Sequence, residues 1–299
     1  MSAFVAAPAV ETPLGRFLRE FGESRMAVAG AAGLFLILLA AVLAPWLMPQ
    51  NPYDLAQLDI LDGNLPPGSE GFSGTTYWLG TDDQGRDMLS AIVYGLRISL
   101  SVGAGSTLVA LIVGCAVGLV AAYYGGPLES VIMRVVDLQL SFPAILVALI
   151  LLAVMGRGVD KVFIALVIVQ WAYYARTVRA AALVEGAREY VEAARCLALP
   201  DRRILFRHLL PNCLPPVIVV GTVQVGHAIA LEATLSFLGV GVPITEPSLG
   251  LLIANGYEYL LSGQYWISFF PGLALVATIV CINLVGDQMR DVLNPRLQR

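Results

Sequence analysis

The sequence predicts an all-α polytopic membrane protein with six transmembrane helices and both termini in the cytoplasm. Three observations support this fold class. Hydrophobic residues make up 58% of the 299 residues and charged residues only 13%, about half the charged fraction of a soluble domain. Long uncharged runs recur along the chain, most of them close to the roughly 20 residues that cross a bilayer as a helix. Arginine is concentrated in alternate connections between these runs.

The first 25 residues predict a cytoplasmic tail that contains an amphipathic interfacial helix. Residues 1–10 are small and apolar without a helical pattern, and we expect them to be disordered. Thr12 and Pro13 are a favoured N-cap and first helical residue, and apolar residues then recur at helical spacing. A flexible charged tail is the alternative. The uncharged run at 26–48 predicts transmembrane helix 1, an anchor that is not cleaved.

The segment at 49–97 is the largest polar interlude and is predicted to lie outside the cytoplasm. Its prolines and glycines exclude a long helix before Thr81. A charged cluster near its end comprises Asp82, Asp83, Arg86 and Asp87. These residues resemble a metal-binding group, but capping of an interfacial helix explains them better, so no metal site is expected.

Residues 98–286 are predicted to form a core of five helices. The apolar runs lie at 98–124, 138–155, 162–175, 214–239 and 266–286. Pro143 should kink the second run, and the third is short enough that Lys161 and Arg176 must snorkel. Residues 241–264 are predicted to form a loop, and residues 287–299 a polar cytoplasmic tail. The four cysteines, Cys115, Cys196, Cys213 and Cys281, form no CxxC pair and are predicted to be packing residues.

Basic residues are distributed unevenly between the two sides of this arrangement. With six spans, one side receives fourteen of the 18 lysines and arginines, and the other side receives four. Cytoplasmic connections carry the excess of basic residues. Both termini and the connection at 176–213 are therefore predicted to face the cytoplasm, whereas 49–97 and 240–265 face the outside.

The connection at 176–213 is predicted to be a compact helix–turn–helix. Residues 180–195 are strong helix formers, and Pro200 cannot continue that helix. Asp201 is a good N-cap for a second helix, which Pro211 would end. Two rigid helices suit docking to another protein. The alternative is a solvated basic loop that faces anionic lipid.

This connection resembles the coupling loop of permeases of ATP-binding-cassette (ABC) importers, which carries a Glu-Ala-Ala motif, a following glycine and a leucine–proline ending. The matching residues are Glu192-Ala193-Ala194, with Ala198 in the glycine position, and Leu209-Leu210-Pro211. Alanine resists the positive φ that glycine permits, so the shape of the turn between Ala198 and Pro200 stays open.

Further motifs resemble the dipeptide/oligopeptide/nickel-type permeases from about residue 12 to residue 299. The matches are Leu79-Gly80-Thr81-Asp82, Gly85-Arg86-Asp87, Ser90, Gly95, Arg97, Ser99-Leu100, Met133-Arg134, Asp137, Glu232-Ala233, Leu235-Ser236-Phe237-Leu238-Gly239, Gly286-Asp287, Arg290-Asp291 and Pro295. Leu249 before Gly250 and Asn294 before Pro295 depart from the family pattern. The order and spacing are most similar to the second permease of the pair, the dipeptide-permease C type.

The resemblance implies an ABC type I importer permease fold and a role as half of the translocation pathway for di- or oligopeptides. It implies a location in the bacterial cytoplasmic (inner) membrane, in contact with lipid. The implied partners are a homologous second permease in a heterodimer, two ATP-binding subunits and an extracytoplasmic substrate-binding protein. No nucleic-acid partner is expected.

The same resemblance implies a transport subunit and not an enzyme. The sequence contains no GxxxxGK[ST] phosphate loop, so no cofactor is expected on this chain, and ATP and magnesium belong to the partner subunits. ATP hydrolysis there would drive alternating access through the coupling loop.

The residues expected to couple to the ATPase are Glu189, Tyr190, Glu192, Ala193, Ala194, Ala198, Leu199 and Pro211. Glu192 would cap or pair with a group of the ATPase. The alternative, which does not exclude the first, is a pair within the loop with Arg188 or Arg195.

Asp137 and Glu232 are candidates for the pathway or its gate, because acids near membrane depth are costly. The alternatives are that Asp137 pairs with Arg134 and that Glu232 lies partly hydrated near the outer end of its span. His227 is expected to form a helix–helix hydrogen bond.

Three further readings stay open. An ion-coupled secondary transporter could use Asp137, His227 and Glu232, but six spans are few and no internal repeat is present. An intramembrane enzyme would need a Ser/His/Asp or Cys/His arrangement, which the sequence does not suggest. Among importers, nickel, glutathione or another small solute are the alternatives to peptides.

Overall fold

The structure is a computed structural model that describes residues 12–54, 58–72, 74–243, 245–246 and 248–293. The disorder expected at residues 1–10 and the motif residue Pro295 lie outside these ranges. The helices are α1 (Pro13–Glu23), α2 (Arg25–Leu47), α3 (Met88–Tyr124), α4 (Gly126–Ser141), α5 (Ala144–Met155), α6 (Val159–Gly186), α7 (Glu189–Cys196), α8 (Asp201–Arg203), α9 (Leu210–Phe237), α10 (Leu249–Tyr257) and α11 (Trp266–Leu293). A short antiparallel pair, β1 (Ser69–Glu70) and β2 (Thr76–Tyr77), lies between α2 and α3.

Five helical stretches of the described chain are long and apolar enough to cross a membrane. They are α2, α3, α6, the stretch from Asp201 to Phe237, and α11. Together α4 and α5 qualify as a sixth span, although they meet at 93°. The predicted six-span α-helical class is therefore confirmed, with one correction. Pro143 separates two helices instead of kinking one, because it holds Phe142 in extended geometry (φ −94°, ψ 142°).

The helix predicted after Thr12 is present as α1. The Thr12 hydroxyl accepts a hydrogen bond from the Gly15 amide at 3.2 Å, as an N-cap does. The Gln288 side-chain amide donates to the Glu20 carbonyl at 3.0 Å, which connects α1 to the end of α11.

The first core helix, α3, begins at Met88 rather than at 98. Asp87 is its N-cap and accepts hydrogen bonds from the Ser90 amide and hydroxyl. Asp82 and Arg86 form a buried ion pair at 2.8 Å. Capping therefore explains Asp87 as predicted, and residues 88–97, predicted as part of the outer segment, form the first turns of α3.

Close contact between α3 and α6 forms the centre of the bundle. A Cβ atom at Gly114 would lie 2.5 Å from the Trp171 carbonyl oxygen, and one at Gly118 would lie 2.4 Å from that of Ala175. Glycine at these positions lets the two backbones approach as small-residue faces do in membranes.

The region predicted as a loop at 241–264 contains the helix α10. Leu249 and Leu252 are buried, and a Cβ atom at Gly250 would lie 2.3 Å from the carbonyl oxygen of Ala233 on α9. The helix is only nine residues long, so packing on α9 stabilises it rather than its own length.

The cysteine prediction holds for three of the four residues. Cys115 and Cys213 are buried and Cys281 is half-buried, but Cys196 is exposed, and none of the four forms a disulfide. Cys196 lies at the end of the short surface helix α7, where no element of the described ranges covers it.

Candidate functional site

The predicted cytoplasmic connection is built around the short helix α7. The single helix expected over 180–195 is wrong, because α6 continues from its span to Gly186 and the chain then leaves helical geometry. Arg188 is extended (φ −81°, ψ 146°), and its carbonyl accepts from the Val191 and Glu192 amides at 2.9 and 3.3 Å. A new helix therefore starts at Glu189.

One face of α7 is anchored in the protein. Val191 and Ala194 are 0% and 4% exposed, and they share a hydrophobic cluster with Ile204, Leu205 and other residues of the following segment. Leu199 is half-buried against the same cluster. Ala194 and Leu199, both expected on the docking surface, thus face inward, because residues 191 and 194 lie on one side of a helix.

The opposite face of α7 is open to solvent. The exposed residues predicted to couple are Glu189, Tyr190, Glu192, Ala193, Ala198 and Pro211. Glu192 forms no ion pair with any residue that the structure describes, and the nearby Arg188 approaches Glu185 instead, at 3.7 Å. The predicted pair within the loop is therefore not formed, and the Glu192 carboxylate is available to a partner.

Tyr190 connects α7 to α6 and α9 through hydrogen bonds. Its hydroxyl donates to Glu185 Oε2 at 2.9 Å and accepts from Asn212 Nδ2 at 3.1 Å. Partial burial and the hydrogen bond to Glu185 raise the pKa of Tyr190, so the phenol stays protonated as this bridge requires.

The turn after α7 has the glycine-like geometry that the sequence left open. Ala198 has a positive φ of 51°. Its amide donates to the Arg195 carbonyl at 2.9 Å, and the Leu199 amide donates to the Ala194 carbonyl at 3.2 Å. This pair of bonds is the Schellman C-cap, in which a left-handed residue ends the helix. Pro200 is the N-cap of the next helix, α8, so Asp201 is the first residue of that helix and not its N-cap.

Pro211 does not end the second helix, contrary to expectation. Between α8 and α9 the chain forms a π-helical segment, Ile204–Leu209, in which the Leu210 amide donates to the Leu205 carbonyl, five residues back. A proline lacks an amide hydrogen and crowds the carbonyl four residues before it. The wider turn accommodates it, so the helix continues into the span.

Three residues around α7 were missed at the sequence level. Tyr123, at the end of α3, donates to Asp201 Oδ1 at 2.6 Å, and the Arg195 guanidinium lies 5.5 Å from its ring centre. An aromatic residue at the end of an apolar run is a signal of the membrane interface. Leu197 and Phe206 are 74% and 64% exposed. The only sequence signal for them is that they are large apolar residues within a polar, charged segment.

The candidate gate residue Asp137 lies on α4, apart from α7. It forms an ion pair with Arg176 of α6 at 2.5 Å rather than with Arg134, and Glu129 pairs with Arg179 at the same distance. The expected Asp137–Arg134 pair is wrong because the partner on α6 is brought close by packing. Two parallel ion pairs thus connect α4 to α6.

Glu232 is fully buried, and the expectation that it is partly hydrated is wrong. Its carboxyl oxygens accept hydrogen bonds from Ser99 of α3 and Ser236 of α9, both at 2.8 Å. Hydroxyl groups from two helices therefore satisfy a carboxyl group that burial would otherwise penalise. His227 contacts Gln224 of its own helix at 3.1 Å, so this contact is not the expected helix–helix bond.

Comparison with known proteins gives matches over nearly the whole chain. The family model "Binding-protein-dependent transport system inner membrane component" matches residues 110–299, and the model "N-terminal TM domain of oligopeptide transport permease C" matches residues 12–67. A putative peptide transport system permease protein of Brucella suis is 39% identical over 96% of this chain and 94% of its own length. The di/tripeptide transport system permease protein of Pseudomonas aeruginosa is 35% identical over 100% and 99%.

A solved structure, that of the MetNI methionine ABC transporter in inward-facing conformations, has a chain with the same fold. It superposes with a TM-score of 0.56 over 69% of this chain and 98% of that chain, at 20% sequence identity.

Proposed function

Because the chain belongs to the family of inner-membrane components of binding-protein-dependent transport systems, we propose that it is the permease subunit of an ABC importer for di- or oligopeptides. It is a multi-pass protein of the bacterial inner membrane with the type I importer fold. It forms half of the translocation pathway, and a homologous permease forms the other half. Two of its relatives are named a putative peptide transport system permease and a di/tripeptide transport system permease, and these names support this substrate class.

The proposal depends chiefly on the two faces of α7. One face is exposed and carries Glu189 and Glu192, and the opposite face is buried through Val191 and Ala194. Two separate ATP-binding subunits, which hold ATP and magnesium, dock on the exposed face, with Glu192 as a direct contact. The anchored face transfers their movement to the cluster beneath it and from there to the helix that continues into the span. Such coupling requires two states that both sites bias. An extracytoplasmic binding protein delivers the peptide on the opposite side.

The two acidic candidates receive different roles in this proposal. The Asp137–Arg176 pair is half exposed and acts as a polar contact at the cytoplasmic gate, which opening of α4 from α6 would break. Glu232 positions α9 against α3 and does not contact the substrate.

The experiment that tests the proposal starts with a tag on this chain. Purification from membranes should recover a second permease and an ATPase pair, and proteoliposomes of that complex should take up a radiolabelled dipeptide with ATP and the binding protein. Glu192→Ala should lower uptake about tenfold, the effect of one lost charge-assisted hydrogen bond. Glu70→Ala, at an exposed acid of the outer segment, is the matched control. If the chain purifies alone and moves solute without an ATPase, a secondary carrier replaces the proposal.

A further inference from the structure

Arg97 is an exposed cation near the outer end of α3 that the coupling role does not use. Its guanidinium carbon lies 5.8 Å from the ring centre of Tyr94, and it forms no ion pair with any residue in the described part of the chain. A long uncharged run begins at the next residue. A cation at the edge of the hydrocarbon region is costly without a counter-charge or water.

Arg97 lines an open cavity on the predicted outer side. The cavity has a volume of about 640 Å³ and is lined by Tyr53, Arg97, Ile98, Ser101, Thr245 and Glu246. Its size is in the range of small-molecule sites. The lining contains one cation, one carboxylate and three hydroxyl groups, all on described residues.

The two charges of this cavity are not paired with each other or with other described residues. Glu246 sits in the turn between α9 and α10, where its amide donates to the Pro243 carbonyl at 3.0 Å. The Ser101 hydroxyl donates to the Ile98 carbonyl at 3.0 Å, which leaves its oxygen free to accept a hydrogen bond. The cavity therefore offers hydrogen-bond donors on the Arg97 guanidinium group and hydrogen-bond acceptors on the Ser101 hydroxyl oxygen and the Glu246 carboxylate.

Tyr53 lies within electrostatic range of both charges. Its ring packs edge-to-face on Tyr94 with centres 5.4 Å apart. Burial raises the pKa of Tyr53 to about 12, the Glu246 carboxylate adds to that shift, and Arg97 opposes it. The phenol is thus a neutral hydrogen-bond donor at physiological pH.

We propose that this cavity is an entry site for a small zwitterion, in which Arg97 binds the free α-carboxylate of a peptide and Glu246 faces its α-ammonium group. Arginine can hold a carboxylate with two parallel hydrogen bonds, and an ammonium group can donate to the carboxylate and the serine oxygen. The site takes the ligand as the binding protein releases it. This inference rests on the proposed function and adds how the permease recognises its substrate.

Selective labelling tests the site without depending on transport. Ser101→Cys places a thiol in the cavity of the assembled transporter in right-side-out membrane vesicles. Two membrane-impermeant probes are compared, glycyl-Nε-(iodoacetyl)lysine and its C-terminal amide, and mass spectrometry measures labelling at position 101. The free acid should react roughly three- to fivefold faster than the amide, the effect of one exposed charge pair.

The substitution Arg97→Gln should bring that ratio close to one, and Arg97→Lys should preserve most of it. Both rates are measured in the same variant, so changes in thiol reactivity cancel. Ser262→Cys, at an exposed serine of the predicted outer segment 240–265 that does not line the cavity, should give the same ratio with and without Arg97. A third probe, the same peptide with an acetylated amino terminus, tests Glu246. The probe with the free amino terminus should label Ser101→Cys faster than the acetylated probe, and Glu246→Gln should bring the ratio of these two rates close to one.

Two results would overturn the site: a ratio that does not respond to Arg97→Gln, or no labelling of Ser101→Cys at all. If Arg97→Gln instead raises only the half-saturating concentration of the binding protein, Arg97 contacts that protein and not the peptide. Uptake by the unmodified complex separates the proposed function from the proposed entry site. Absence of ATP-dependent uptake contradicts the proposed function. Normal uptake together with a labelling ratio that Arg97→Gln does not change contradicts only the entry site.

Discussion

Replacing Ala198 with glycine should stabilise the turn that ends α7. Alanine at a positive φ of 51° costs about 1–2 kcal/mol relative to a right-handed conformation. Glycine removes that cost but loses roughly 0.5–1 kcal/mol more backbone entropy on folding. The residue is exposed, so no packing changes. The net gain is about 0.5–1 kcal/mol, and since 1.4 kcal/mol corresponds to a factor of ten, opening of the turn should become roughly two- to fivefold rarer.

Hydrogen exchange of the segment at 189–199 measures this opening, because the Ala198 and Leu199 amides donate to carbonyls of α7. The matched control is Ala187→Gly, the same chemical change at an exposed residue with a negative φ of −88°. We expect slower exchange of the segment in Ala198→Gly and equal or faster exchange in Ala187→Gly. Faster exchange in Ala198→Gly, or the same direction of change in both, would refute the assignment of strain to this turn.

Three other substitutions test separate contacts. Tyr190→Phe removes a hydroxyl that makes two hydrogen bonds and should destabilise α7 by about 1 kcal/mol, seen as about fivefold faster hydrogen exchange; unchanged exchange would contradict the bridge. A double-mutant cycle of Asp137→Asn and Arg176→Gln should give a coupling energy of at most about 1 kcal/mol, because the pair is half exposed, and a coupling of several kcal/mol would show that the pair is buried in the assembly. Gly250→Ala should lower the melting temperature of the complex through an overpacking cost of about 1–3 kcal/mol, since its Cβ would lie 2.3 Å from the Ala233 carbonyl oxygen; Gly272→Ala, with no atom near its Cβ, should not.

The membrane helices could be predicted because hydropathy is a property of the sequence alone. The runs at 98–124, 162–175 and 266–286 lie entirely in helices, and those at 26–48 and 214–239 extend one and two residues beyond the helices that contain them. Hydropathy does not determine the residues at which these helices begin and end, because capping and packing do. The helix α3 begins at Met88 since Asp87 caps it, although the charges around this position suggested a separate segment.

Features that depend on tertiary contact were not visible in the sequence. Helix propensity favoured one helix over 180–195, but the buried positions Val191 and Ala194 orient α7 independently of α6. The partner of Asp137 lies on another helix, so local spacing pointed to the wrong arginine. The positive φ of Ala198 follows from the two bonds of the C-cap, whereas residue preference alone opposed it.

The π-helical segment before Pro211 also fixes which face of α9 is turned towards the bundle. A π-turn contains one residue more than an α-turn, and one residue corresponds to a rotation of about 100°. Shortening the segment by one residue would turn Cys213 and Val217, which are now buried, away from the bundle. Conversion of this segment between π and α hydrogen bonding would rotate the span about its own axis. The segment beneath α7 is therefore a place where movement at the cytoplasmic surface can become torsion of a membrane helix.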